Sequence, residues 1–241
     1  MDNVIYLAGL IMVVAAVWYL WRRACRACEA ANLTDWGSVG LNRLDGLNRL
    51  FCTRYHRLKY QPIGLPEQGA ALLVANHISG LDPLLIIAAA RRPLRFMIAR
   101  EEYQRFGLTW LFRAIGCIPV ERDRRPEQAL REAVRMLGKG EVVALFPQGG
   151  IHLGSEPAGK LKRGVIKLAE LTHSAIYPVR IEGVRGRGRV VSAVLLRSHA
   201  RIINFPPLVS ASIGTLDYLG QLLSGNREPV TAPVEHNSPD R

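Results

Sequence analysis

Acidic residues are scarce in this chain. Twenty Asp and Glu stand against 32 Lys and Arg in 241 residues, giving a formal net charge of +12 and a pI of about 10.1. With 49% of residues hydrophobic, that balance suits a membrane surface or an anionic ligand better than a simple soluble enzyme. The charge carries no zinc-finger or RNP signature and no basic run interleaved with aromatics, so nucleic acid is not the expected partner. The short basic stretch Arg185-Gly186-Arg187-Gly188-Arg189 reads as a turn between two strands. Cysteine is limited to four residues, and on the cytoplasmic face expected below they are not expected to form disulfides. There is no G-x-S-x-G segment, so a serine on a nucleophile elbow is excluded.

Long hydrophobic runs are limited to one. Residues 4–21 contain no charge, and 18 residues at about 1.5 Å rise each just reach across a hydrocarbon core. Only Asp2 is charged ahead of the run, while Arg22, Arg23 and Arg26 follow it. A cleaved leader would carry its positive charge in front and a small-residue site behind. The expectation is therefore a membrane helix, spanning or lying in one leaflet, with the N-terminus out and the remainder on the cytoplasmic face of the inner membrane.

The chain then divides into an anchor over 1–21, a basic amphipathic region over 22–60, an α/β domain over 61–224 and a disordered tail over 225–241. In the second region Leu41, Leu44, Leu47, Leu50 and Phe51 recur at helical spacing, with Arg43, Arg49, Arg54, Arg57 and Lys59 among them. That pattern fits a helix at a lipid surface, or one packing its apolar stripe on the domain. Cys25-x2-Cys28 and Cys52-x3-His56 have spacings that a four-ligand zinc site can use. Isolated helical cysteines beside a membrane are commoner, and no metal is expected.

From residue 65 apolar strands alternate with helical stretches. Strands are expected over 71–75, 94–99, 117–120, 142–146, 176–181, 190–196 and 201–204, and helices over 83–90, 101–114, 126–137 and 161–172. Regular alternation of this kind predicts a mainly parallel sheet covered by helices on both faces.

The most informative segment lies at the end of the first strand, where an apolar run stops at Asn76 and His77. Asp82 follows five residues after His77, and Pro83 opens the next helix. Strand ends are where open α/β sheets bind ligands. A neutral imidazole held by a carboxylate can take a proton from a hydroxyl. Asp82-Pro83 also suits a plain helix start. Three further segments sit at strand ends: Gly116 to Arg122, the loop Phe146-Pro147-Gln148-Gly149-Gly150, and the proline-interrupted strand Ile176-Tyr177-Pro178-Val179.

In order and spacing these four segments resemble the signatures of the glycerolipid acyltransferase family, specifically the 1-acylglycerol-3-phosphate acyltransferases: H-x4-D, a glycine-and-arginine motif, F-P-E-G-T and a proline-containing strand. The resemblance implies transfer of a fatty acyl group from a thioester, acyl-CoA or acyl carrier protein, to a lysophospholipid hydroxyl. It requires no other cofactor. His77 would be the base and Asp82 its orienting carboxylate. Arg122 would clamp the acceptor phosphate, with Arg100 and the basic stretch containing Lys160 beside it. Here Phe-Pro-Gln-Gly-Gly replaces F-P-E-G-T, so Gln148 and Gly149 are expected at the acceptor and Gln148 is expected to tune its recognition. The rival readings are another lyso-lipid acceptor on the same fold, or a catalytically silent, membrane-tethered lipid-binding protein.

Overall fold

The computed structural model describes residues 2–105, 107–121, 126–151, 161–209 and 213–226. The chain opens with helix α1 (Asp2–Ala31) and helix α2 (Val39–Leu50), the latter running on into a π-helical turn, Phe51–Tyr55. Helix α1 continues well past Trp21, carrying Arg22, Arg23 and Arg26 on the same rod. Residues Tyr6–Ala31 form a helix long and apolar enough to cross a membrane, and its Leu10, Val13 and Trp18 side chains are exposed. Gly46 lets α2 cross α1 closely, since a Cβ there would sit 1.8 Å from the Cys28 carbonyl oxygen.

The α/β part contains β1 (Ala71–Ala75), α3 (Asp82–Ala89), β2 (Leu94–Ala99), α4 (Arg100–Tyr103), α5 (Thr109–Ala114), β3 (Ile118–Val120) and α6 (Pro126–Gly138). It continues with β4 (Val142–Leu145), α7 (Gly164–Thr172), β5 (Ile176–Glu182), α8 (Val191–Leu195), β6 (Arg201–Asn204) and α9 (Ile213–Ser224). Six strands form one sheet in the order β3-β2-β4-β1-β5-β6. Every neighbour pair is parallel except β5 with β6. A central parallel strand is buried on both faces, and all five residues of β1 are. Alternation splits its side chains: Leu73 packs into the core under α3, while Leu72 and Val74 join α6, α7 and α9 on the other face. Helix α6 meets that second core through Ala129, Ala133 and Leu137, four residues apart each time.

Three expectations are corrected. Residues 190–196 are not a strand. β6 pairs directly with β5, from Val179 opposite Asn204 to Glu182 opposite Arg201, which leaves the intervening chain without a strand partner. Gly186 and Gly188 turn it with φ of +75° and +79°, and it closes as the short helix α8. The helix expected over 101–114 breaks into α4 and α5, with Gly107 at φ +80° between them. The face of α2 that packs inward is not the leucine stripe but Asp45, Gly46 and Arg49. Leu44 and Leu47 are 42% and 53% exposed.

Arg49, expected at a lipid surface, is 3% exposed. Its guanidinium pairs with Asp45 at 2.5 Å and donates to the Ala88 and Ala90 carbonyls at 2.7 Å each and to Thr34 Oγ1 at 2.8 Å. It thus binds α2 to the carboxyl end of α3, where a helix favours positive charge. Helix α9, not foreseen from the sequence, buries Leu219, Leu222 and Leu223 and accepts from Arg180 through the Leu222 carbonyl at 3.1 Å.

Candidate active site

β1 ends with Asn76, whose amide accepts from the Ile181 backbone N–H at 2.7 Å and donates to the Ile181 carbonyl at 3.0 Å. This pins the strand end against β5 and fixes where the next loop departs. His77 follows, and its Nδ1 lies 2.9 Å from Asp82 Oδ2. Asp82 is fully buried, and the His77 side chain is 18% exposed.

The Asp82 carboxylate is heavily committed. Oδ2 also accepts from the backbone N–H groups of Ile78 at 2.6 Å and Ser79 at 2.8 Å, and Oδ1 accepts from Ser79 Oγ at 2.7 Å. Asp82 is therefore not an ordinary cap. It is the first residue of α3, Leu81 holds the cap position without a side-chain bond, and the carboxylate turns back to fold the 77–79 loop around itself. A carboxylate can only accept, so Nδ1 carries the proton and Nε2 remains as the basic atom. The His77 ring stacks on Phe146 with centroids 4.1 Å apart and planes 14° apart, which fixes its rotation from the third direction.

Gln148 takes up an unexpected position. Its Oε1 accepts from the His77 backbone N–H at 2.8 Å, so the side chain supports the histidine loop. The residues around it, Phe146, Pro147, Gly149 and Gly150, line the groove described below. Gly149 has φ +75°, and a Cβ there would lie 2.5 Å from Lys162 Cε. Lys162 thus lies across the loop beside His77, anchored by its backbone N–H to the Pro147 carbonyl at 2.9 Å. Sequence reasoning chose Lys160 from this basic stretch, whereas the cation seen against the loop is Lys162. Arg100 forms an ion pair with Glu121, joining the ends of β2 and β3. Arg122 and Lys160 lie outside the described residues. Phe146 was read only as part of its loop motif, not as a partner of the histidine ring; Ser79 and Lys162 were given no role by sequence reasoning, and of these two only Lys162 lies in a segment, the basic stretch, that carried a signal.

His77 opens into a groove of about 1610 Å³. One wall comes from α2, α3 and α8, including Leu44, Leu47, Leu84 and Leu195. The other comes from β2, α5, α6 and α7, including Met97, Phe112, Leu130 and Leu168. The leucine stripe of α2 therefore faces this groove. Ligand pockets for drug-sized molecules run to about 300–1,000 Å³, so this apolar space suits something longer.

Among the described residues no group of three or more His, Cys, Asp or Glu could hold a metal ion. Cys52 and Cys117 are buried free thiols, each pushed up to about 12 by burial. A thiol in that state is a poor metal ligand.

The α/β fold thus carries an oriented histidine beside a long apolar groove. The family follows from comparison: the Acyltransferase family model matches residues 57–182, just over half of the chain, and the chain belongs to that family. It is 35% identical over 135 residues to a probable 1-acyl-sn-glycerol-3-phosphate acyltransferase of Mycoplasma pneumoniae, covering 52% of this chain and 48% of that protein. Against a 1-acyl-sn-glycerol-3-phosphate acyltransferase of Bacillus subtilis the identity is 22%, over 52% of this chain and 61% of the relative. The chain spans about half the length of the Mycoplasma relatives it matches. The crystal structure of PlsC, the 1-acyl-sn-glycerophosphate (LPA) acyltransferase of Thermotoga maritima, superposes with a TM-score of 0.60 at 19% identity, over 79% of this chain and 81% of that one. The mainly parallel sheet and its helices share that fold.

Proposed function

We propose that this protein is a membrane-bound 1-acylglycerol-3-phosphate O-acyltransferase, moving a fatty acyl group from a thioester to the free hydroxyl of the acceptor and forming phosphatidic acid. The observation that carries the reading is the His77–Asp82 pair, 2.9 Å apart, beside an apolar groove of about 1610 Å³. Nε2 of His77 takes the hydroxyl proton as the oxygen attacks the thioester carbonyl. The carbon–sulfur bond then breaks, and the imidazolium returns the proton to the departing thiolate. Asp82 holds the tautomer and stabilises the imidazolium. General-base help supplies about 10²–10⁴-fold, and alignment of the two substrates supplies the rest.

The acceptor phosphate calls for a cation near the loop. Lys162, which lies against Gly149, supports this reading, and the family resemblance gives Arg122 and Lys160 the same task. Phosphatidic acid as product gains support from Gln148: a glutamine carbonyl can accept from the His77 N–H as a glutamate would, so the altered loop does not require a different acceptor. Helix α1 supplies the membrane attachment, with Arg22, Arg23 and Arg26 toward its C-terminal end holding the catalytic domain at the cytoplasmic face.

The test is a panel of lyso-lipid acceptors, each offered labelled acyl-CoA and acyl carrier protein, with wild type and His77→Ala in parallel. Lysophosphatidic acid should be preferred and the variant inactive. Transfer by His77→Ala would remove the base from the mechanism, and preference for another lyso-lipid would reassign the acceptor.

A further inference from the structure

The segment 185–197 lends α8 to one wall of the groove, but its outer surface has no part in the mechanism above, and the chemistry of that surface is unusual. Val190, Val191, Leu195 and Leu196 are exposed, Val191 by 61% and Leu195 by 68%. Arg185, Arg187, Arg189 and Arg197 flank them and are exposed too. Among the described residues none of these four arginines forms an ion pair.

The segment is nevertheless built firmly into the fold. The Arg189 carbonyl accepts from the Gly80 N–H at 3.1 Å, and the Gly188 N–H donates to the Ile78 carbonyl at 2.9 Å. Tyr55 donates to the Leu195 carbonyl at 2.6 Å and the Val194 carbonyl lies 3.1 Å from His56 Nε2, while Ala193 is fully buried beneath. Gly80 has no room for a side chain, as a Cβ would approach the Val190 carbonyl oxygen to 2.5 Å. An apolar surface fixed in place by its own backbone bonds marks a contact site.

We infer that α8 and its flanking arginines form a second membrane contact, an apolar tip that enters an anionic bilayer surface and seats the mouth of the groove on the lipid. Apolar side chains ringed by arginines match the two layers of such a surface, acyl chains below and anionic headgroups around them. Val190, Val191 and Leu195 also line the groove, so the same contact places its opening where a lipid would enter. This last step rests on the acyltransferase reading; the contact itself does not.

The test uses the full chain in vesicles. In a Cys25→Ser, Cys28→Ser background the buried Cys52 and Cys117 stay unlabelled, and a fluorophore is placed through Leu195→Cys. A control goes through Leu171→Cys on α7, at the opposite face of the sheet. In vesicles of phosphatidylcholine and phosphatidylglycerol, nitroxide-bearing lipid should quench the label at 195 several times more strongly than the label at 171. Changing Arg185, Arg187, Arg189 and Arg197 to Gln should lower the docked-to-undocked ratio by up to about fivefold per arginine. Equal quenching at both positions would overturn the contact. Quenching indifferent to anionic lipid and to the arginines would overturn its anionic character. A response in detergent to acyl carrier protein, with none to lipid, would give the surface to an acidic protein instead. The readout needs no turnover, so its failure is distinct from failure of the enzymatic assignment.

Discussion

The Gln148 carbonyl accepts from the backbone N–H of His77 at 2.8 Å, so the residue that departs from the family's glutamate holds the loop bearing the proposed base. The relevant property at this position is an acceptor oxygen, which glutamine and glutamate share.

Gln148→Glu should therefore retain activity within a few-fold, because a carboxylate accepts from an N–H at least as strongly. Gln148→Leu should lower kcat by roughly 10–100-fold through misplacement of the histidine, since displacements near 1 Å can cost about 10²-fold. Both variants should leave the ratio of kcat/KM between lysophosphatidic acid and a zwitterionic lyso-lipid unchanged. A shift in that ratio would return Gln148 to the acceptor.

Asp82 has a structural task as well as an orienting one, and the two separate by substitution. Asp82→Ala leaves the N–H groups of Ile78 and Ser79 without their acceptor. At about 1–3 kcal/mol for each orphaned donor, it should lower stability by roughly 2–6 kcal/mol as well as remove activity. Asp82→Asn keeps one acceptor oxygen and should be milder in denaturant, yet still lose up to roughly 10⁴-fold in kcat through loss of the imidazole tautomer. Equal stability of the two variants would contradict the bonding described.

Most of the sheet was legible because its strands are short apolar runs between clear breakers: β1, β2 and β6 fall at their expected residues. The run from Val190 to Leu196 misled because composition cannot show that β6 already occupies the edge beside β5. The His77–Asp82 pair was readable since its members lie five residues apart on one turn. Gln148 on His77 was not, because it joins two strand-end loops that only the packed sheet brings together, and Lys162 on Gly149 was not, because the two lie well apart within the connection from β4 to α7, beyond the reach of local spacing. For Arg49, spacing and charge suggested a lipid surface, because helical spacing does not tell which face of α2 is buried.

That burial predicts a large effect for Arg49, and one indifferent to salt. Arg49→Ala strands the buried Asp45 carboxylate and releases the Ala88 and Ala90 carbonyls. Breaking a buried pair in this way costs about 3–5 kcal/mol. Arg49→Lys should recover only part, since an ammonium cannot reproduce the planar fork. Denaturant midpoints at low and high salt would check both points, and a near-neutral Arg49→Ala would mean that the contact contributes little.

His56 gives the fold a pH dependence with a definite sign. Its ring is packed edge-on against Phe51 and Tyr55, with centroids 4.7 and 5.0 Å away. Nε2 lies 3.1 Å from the Val194 carbonyl, so Nε2 carries the proton, while buried Nδ1 has no partner among the described residues. Protonating Nδ1 would place a charge where nothing accepts it, and burial holds the pKa below its ordinary value of 6.5. Above that value the ring is neutral in both folded and unfolded chains, and its contribution is fully present. As pH falls through 6.5 the unfolded chain takes up the proton first, so the contribution is lost toward acid. His56→Gln can keep a donor to Val194 without titrating. The loss of denaturant stability between pH 7.5 and pH 5 should therefore be smaller in His56→Gln than in wild type. An identical loss in both would show that the acid sensitivity arises elsewhere.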